Sequence, residues 1–142
     1  MCNIVIYNET DRAVVGKRFK TALTQTGKNW PKFAEEVRNQ KILPAGWGIT
    51  EYFTQGDWDL NNVEYELLLP VMGEIQPKEP LKSKTLPGGK VASILHRGAL
   101  NETGKSYEKL AKWVEENGYK FAGNVREVHL RCPIILKILK AM

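Results

Sequence analysis

V-R-E-V-H-L-R-C, residues 125–132, reads as a β-strand. Val125, Val128 and Leu130 are strand formers, and Gly123-Asn124 precedes them as a turn signal. In the middle stands Glu127. Carboxylates are depleted in strands, and burying one unpaired is costly. Side chains alternate along a strand, so Val125, Glu127, His129 and Arg131 share one face. Arg126, Val128 and Leu130 share the other. If Val128 and Leu130 pack under a helix, Glu127 and His129 point away from it. Glu127 then either lies on a wet face, where it costs little, or lines a pocket that wants a charge.

The rest of the chain supplies the helix. S-Y-E-K-L-A-K-W-V-E-E-N-G-Y, 106–119, is periodic, with Tyr107, Leu110, Ala111, Trp113 and Val114 on its apolar face and Asn117-Gly118 as its stop. A second, shorter helix is expected over 31–41, with Pro31 at its start and Phe33, Ala34 and Val37 on one face. Gln25–Trp30 reads as a polar loop. Strands are expected at 3–7 and 13–20, read as one long strand broken by N-E-T-D-R, and at 49–53, 63–71 and 89–98. Residues 73–89 hold Pro77, Pro80, Pro87, Gly88 and Gly89 and read as a linker.

The two halves repeat. A shift of 76 positions lays Glu51 on Glu127, Val15 on Val91, Ala34 on Leu110 and Ile49 on Val125. The order of strand, helix, strand and strand recurs with it. The expected fold class is α+β: a duplicated β-α-β-β unit with a joint antiparallel sheet, two helices on one side and a ligand cleft between the halves. Two copies of a unit make a duplicated domain rather than a solenoid. The chain is read as one domain, 1–142, with half one at 1–72, a linker at 73–88 and half two at 89–142. Glu51 and Glu127 are expected to face the cleft from symmetric positions. The same shift puts the last strand at about 139–147, past Met142. Ile134–Lys140 is therefore expected to be that strand, drawn forward by Cys132-Pro133 and paired within its own chain or across a dimer.

Composition narrows the function. Hydrophobic residues make up 42% of the sequence and charged residues 26%, the balance of an ordinary globular domain. No apolar run is long enough to span a membrane, and the N-terminus shows no signal-peptide pattern. Two distant cysteines, Cys2 and Cys132, point to a reducing, cytoplasmic setting. The net charge of +5 is modest, and Lys78, Lys82, Lys84 and Lys90 form only a loose cluster without interleaved aromatics. Nucleic-acid binding is disfavoured on that ground. His129-x-x-Cys132 supplies two ligands and therefore no metal site. L-P-G-G-K lacks the spacing of a phosphate loop.

G-G-K-V-A-S-I-L-H-R-G, then Y-E-K-L-A-K-W-V-E-E-N-G-Y, then V-R-E-V-H-L resembles the GyrI-like effector-binding family. That family supplies the ligand-binding module of MerR- and AraC-type multidrug regulators and also occurs as free-standing proteins. The resemblance covers 86–131 well; V-V-G-K-R-F and E-Y-E-L-L-L-P-V fit it more loosely. It implies a duplicated β-α-β-β fold and a cleft for small amphipathic ligands, often cationic and aromatic, around a central glutamate. The glutamate of the family's R-E-x-Y pattern matches Glu127. His129 stands where the family often has tyrosine, which weakens the case for a strict cation preference. With the first strand opening near Asn3, no helix-turn-helix is expected before the module, and so no intrinsic DNA binding. Some free-standing relatives look like hydrolases of reactive small molecules, another branch resembles gyrase inhibitors, and the wider fold includes haem-binding relatives.

The candidate ligand-binding residues are Glu127, Glu51, His129, Trp47, Phe53, Tyr65 and His96. Trp47 is flanked by glycines ahead of strand 49–53. Tyr65 is either core or cleft wall, and His96 either lines the cleft or closes a turn. Trp113 is read as core and Trp58 as a possible lid. No metal or cofactor is expected; His96 as a haem ligand is a weak signal. The favoured function is a stand-alone sensor or sequestering protein for small molecules. Left open beside it are a hydrolase with Glu127 as general base, which burial would assist by raising its pKa, and a gyrase-inhibitor-like interaction module. A homodimer or a protein partner is also left open.

Overall fold

The computed structural model describes residues 4–53, 59–96, 103–130 and 134–141, with the backbone alone at 103, 121–123 and 134–141. The strands are β1 (Ile4–Glu9), β2 (Arg12–Thr21), β3 (Gly48–Tyr52), β4 (Val63–Pro70), β5 (Lys82–Leu86), β6 (Gly89–His96), β7 (Lys120–His129) and β8 (Ile134–Ala141). The helices are α1 (Thr26–Asn39) and α2 (Thr103–Glu116). All the strand pairings within each unit are antiparallel, and the class is α+β. The chain divides into two compact units, Arg12–Leu86 and Met1–Asp11 with Pro87–Met142.

In the unit Arg12–Leu86 the strands run in the order β3, β4, β2, β5. Alternation along β4 aims Val63, Tyr65 and Leu67 at α1, where they bury with Val15, Phe33, Val37 and Tyr52. The opposite face carries Ile49, Glu51, Leu68, Glu66 and Val14, and these too are buried. Each face of the sheet is therefore closed at its centre.

In the other unit the order is β1, β6, β8, β7. Ala92 and Ile94 of β6 bury against Leu110 and Val114 of α2, with Trp113, Tyr119 and Val125 packed beside them. The unit repeats the element order of its counterpart: β6, α2, β7, β8 beside β2, α1, β3, β4. Buried helix positions correspond at 77 residues, Phe33 with Leu110 and Val37 with Val114, one more than the shift read from the sequence.

Several sequence expectations change. The first two strands are separate, and they part company: β1 pairs with β6, while β2 pairs with β4 and β5. Residues 1–11 thus cluster with 87–142 rather than with the half that follows them. The stretch 73–88, expected to be a linker, contains β5, which the strand-poor K-S-K-T-L disguised. α1 begins at Thr26, not Pro31. Pro31 stands sixth in the helix, past the first four residues whose N–H groups lack helical partners, and so forfeits one backbone bond. β8 pairs on both sides, with β6 and β7, inside its own chain. Only residues 130–133 separate β7 from β8, against 53–62 between β3 and β4, which is why the last strand comes early.

Both helices end in the same motif. In α2 the Tyr119 N–H reaches the Val114 carbonyl and the Gly118 N–H reaches Glu115, with Gly118 at φ 78°. In α1 the Ile42 N–H reaches Val37 and the Lys41 N–H reaches Arg38, with Lys41 at φ 56°. These are Schellman caps, whose left-handed position glycine usually occupies.

Candidate functional site

Register settles where Glu127 faces. Val125, Glu127 and His129 stand opposite positions 138, 136 and 134 of β8, and those positions stand opposite Ala92, Ile94 and His96 of β6. Directly opposed residues of antiparallel strands lie on one face. Ala92 and Ile94 pack on α2, so Glu127 and His129 lie on the helix side of their sheet. The expectation that Val128 and Leu130 pack under the helix, with Glu127 pointing away, is corrected. Alternation misled because both faces are closed: Arg126 and Val128, on the other face, are as buried as the core. Arg126 there donates from Nη1 to the Pro87 carbonyl at 3.1 Å.

Glu127 and His129 are both half-buried. Burial holds the His129 imidazole below its usual pKa, so near neutral pH it is an uncharged donor and acceptor rather than a cation. On the same face His96 is buried, and its Nδ1 lies 2.8 Å from Ser106 Oγ in the first turns of α2. One carboxylate and two imidazoles thus lie on the sheet face whose Ala92 and Ile94 are buried under α2.

Glu51 belongs to different surroundings. Tyr52 and Tyr65 face α1, so Glu51, between them in alternation, lies on the helix-free face of its sheet. Glu51 and Glu127 are therefore not symmetric. Glu51 stands directly opposite Glu66, and the two carboxylates are only 4% and 7% exposed. Lys84 of β5 ion-pairs with Glu66 and lies 4.0 Å from Glu51. Two like charges face to face repel, and one lysine serves both. Phe53 completes this cluster: the Arg18 guanidinium sits 3.8 Å from its ring centroid and Lys84 Nζ 5.8 Å. Arg18 is itself bonded to Glu64, Nε to Oε2 at 2.7 Å. Cations already occupy the ring face that an incoming ligand cation would use.

Tyr65 is core. It is fully buried, accepts from Asn29 Nδ2 at 2.8 Å, and its ring stacks on Phe19 at 5.5 Å. Trp47 is 54% exposed, while the Trp30 ring fills the space over Gly48 beside it. Trp113 packs against the α2 core and stacks on Tyr119. Trp58, Cys2 and Cys132 lie outside the described residues. Of the sequence-named candidates, Glu127, His129 and His96 share one face, Glu51 and Phe53 share another, and Tyr65 and Trp47 join neither group. Sequence reasoning missed Glu66, Lys84 and Ser106. The E-Y-E of strand 63–71 was the available signal for Glu66, since alternation puts Glu64 and Glu66 on one face; nothing local marked Lys84 or Ser106.

Among the described residues no group of three or more histidine, cysteine, aspartate and glutamate side chains is arranged to hold a metal ion, and no helix is long and apolar enough to cross a membrane.

The described residues form a two-helix, antiparallel α+β fold with Glu127 on the helix-covered face of its sheet. The chain belongs to the GyrI-like family: the GyrI-like small molecule binding domain matches residues 3–132. No curated protein matches the sequence. Among solved structures, the C-terminal domain of EcmrR superposes with a TM-score of 0.91 at 17% identity, covering 99% of this chain and 98% of that one. EcmrR in its complex with DNA gives 0.90 at 17% identity and 98% coverage of this chain, which spans 57% of the EcmrR chain. A hydrolase from Listeria innocua gives 0.73 at 11% identity, covering 97% and 91%. SAV2435 bound to tetraphenylphosphonium gives 0.68 at 9% identity, covering 98% and 94%. At these identities the likeness is one of fold.

Proposed function

We propose that this protein binds small amphipathic, aromatic molecules, cations among them, at the helix-side face around Glu127, as a cytoplasmic sensor or sequestering domain without DNA binding of its own. The observation that carries the reading is Glu127 itself: a half-buried carboxylate on the sheet face beside the apolar core of Ala92, Ile94, Leu110 and Val114. A partly desolvated carboxylate favours a positive partner, and apolar surroundings favour rings. Membership of a small-molecule-binding family supports the reading, as does SAV2435, a relative by fold that holds an aromatic cation. His129, neutral near pH 7, adds no competing charge beside the carboxylate. Glu51, with Lys84 beside it, is assigned a supporting role in its own sheet rather than ligand contact.

Titration with tetraphenylphosphonium, followed by tryptophan fluorescence, tests this. Glu127→Gln is expected to weaken the cation by about tenfold to a hundredfold, the worth of a charge-assisted contact, and a neutral triphenyl analogue much less. Equal loss for both probes overturns the electrostatic role.

A second reading is a small-molecule hydrolase on the same face. It is favoured by His129, an imidazole kept neutral two residues from Glu127 and thus able to accept a proton near pH 7. Incubation with ester and strained-ring substrates, read by mass spectrometry, separates the two. Turnover lost in Glu127→Gln or His129→Gln, with binding retained, supports the hydrolase; binding without product supports the sensor.

A further inference from the structure

The end of α1 holds a feature that the family cleft does not account for. A groove of about 550 Å³ opens there, within the roughly 300–1,000 Å³ range of small-molecule sites. Lys41, Ile42, Leu43 and Pro44 form one wall, and Met72 and Ile75 the other. Two contacts hold the walls together: a bridge between Pro44 and Val71, and the Ala45 N–H donated to the Pro70 carbonyl at 2.7 Å. Gln40 pins the far end. Its Nε2 donates to the Lys78 carbonyl and its Oε1 accepts the Lys78 N–H, both at 2.8 Å. The groove is thus built from fixed backbone.

Leu43 and Met72 are each 82% exposed, an unusual pairing of large apolar side chains in one concave place. No acidic side chain lines the groove, and its one charged residue is Lys41. Among the described residues the Lys41 ammonium has no ion-pair partner.

Lys41 is also strained. It holds the left-handed cap position at φ 56°, where the matching cap of α2 has Gly118, 77 residues further on. A side chain in that conformation is disfavoured, and a glycine would relieve it. A lysine just past a helix C-terminus is helped by the helix dipole, and that alone would explain a positive charge in this region. It does not explain a charge on the one residue of the turn that has to be left-handed. Strain kept beside an apolar groove points to use.

We propose that this groove is a second ligand site, distinct from the face around Glu127, and that it takes amphipathic anions. The apolar part of the ligand lies on Leu43, Met72 and Ile75, and its sulfonate, sulfate or carboxylate meets the Lys41 ammonium. The choice of an anion rests on the groove's charge: one cation and no carboxylate.

The probe is 8-anilinonaphthalene-1-sulfonate, titrated into the folded chain of residues 1–142 with near-ultraviolet circular dichroism as the check on packing. The parent is expected to bind it, with affinity falling as salt rises. Lys41→Gly is expected to weaken binding at least tenfold while raising the melting temperature, since it removes the charge and the strain together. Leu43→Ser is expected to weaken it with the salt dependence retained. Glu127→Gln, which tests the other face, is expected to leave it unchanged. No binding by the parent, undiminished binding by Lys41→Gly, or loss only in Glu127→Gln would each overturn the proposal.

Discussion

Lys84 on β5 is ion-paired to Glu66 on β4 although β2 runs between their two strands. The pair closes over Gly16 of β2, where a Cβ would stand 2.9 Å from Glu66 Oε2 and 2.5 Å from Leu68 Cδ2. The missing side chain is what lets the glutamate lie flat across the strand. An edge strand with exposed polar residues is thereby tied to the centre of its sheet, and a facing pair of buried carboxylates receives a counter-charge.

Removing that counter-charge is expected to be costly. Exposed ion pairs contribute about 0–1 kcal/mol, and breaking a buried pair costs about 3–5 kcal/mol. Lys84 is partly exposed and both its partners are buried. Lys84→Met should therefore lower the unfolding free energy by about 2 kcal/mol in urea titrations. In a Glu66→Gln background the same change should cost less, because one of the two orphaned charges is gone. An unchanged cost in that background would show that the lysine's stem, not its charge, matters.

Gly16→Ala is expected to destabilise by about 1–3 kcal/mol, the range for overpacking a closed site. Its new methyl meets Leu68 Cδ2 and the Leu67 carbonyl, neither of which has room to retreat. Gly27→Ala in α1 is the control: a Cβ there has nothing within 4 Å, and the change should be neutral or stabilising by up to about 1 kcal/mol. Thermal melts of the two variants read the contrast.

His129 sets a pH dependence whose sign follows from its burial. Its folded pKa is lowered from the ordinary 6.5, so the unfolded chain takes up a proton where the folded protein does not. Its neutral form is tolerated at no penalty above about 6.5, and stability falls as the pH drops from there towards the lowered folded value. His129→Gln should flatten the curve of unfolding free energy as the pH falls below about 6.5. A slope that survives the substitution would assign the dependence to other groups.

Ser106→Ala is expected to cost about 1–3 kcal/mol, the penalty for depriving the buried His96 of a hydrogen-bond partner. Ser106→Thr, which restores a hydroxyl, should recover part of it. Urea midpoints of the three proteins give the comparison.

Deleting residues 133–142 removes β8, the strand that β6 and β7 both pair with. Two ladders then stand open, an invitation to pair with other chains. The truncated protein is expected to be unfolded or aggregated by size-exclusion chromatography and circular dichroism. A soluble monomer as heat-stable as the parent would show β8 to be dispensable.

Much of this was written locally. Helical periodicity marked α2 and its glycine stop, alternation marked β4 and β6, and the recurrence of strand, helix, strand and strand showed in the order of the elements. Glu127 announced itself as a carboxylate in a strand. Those features depend on neighbours within a few residues, and a single chain carries them openly. Three things did not show. K-S-K-T-L forms β5 because β2 offers it a partner far away in sequence, not because lysine and serine prefer strands. β1 leaves the strand that follows it and joins β6, a choice made by pairing and not by propensity. The side on which Glu127 faces was misread, because alternation names two faces without saying which one a helix will cover when both are closed. Only the register of β7 on β8, and of β8 on β6, decides that. By the same rule Lys84 found Glu66: the residues lie 18 positions apart, on strands that do not touch, and only the glycine between them lets them meet.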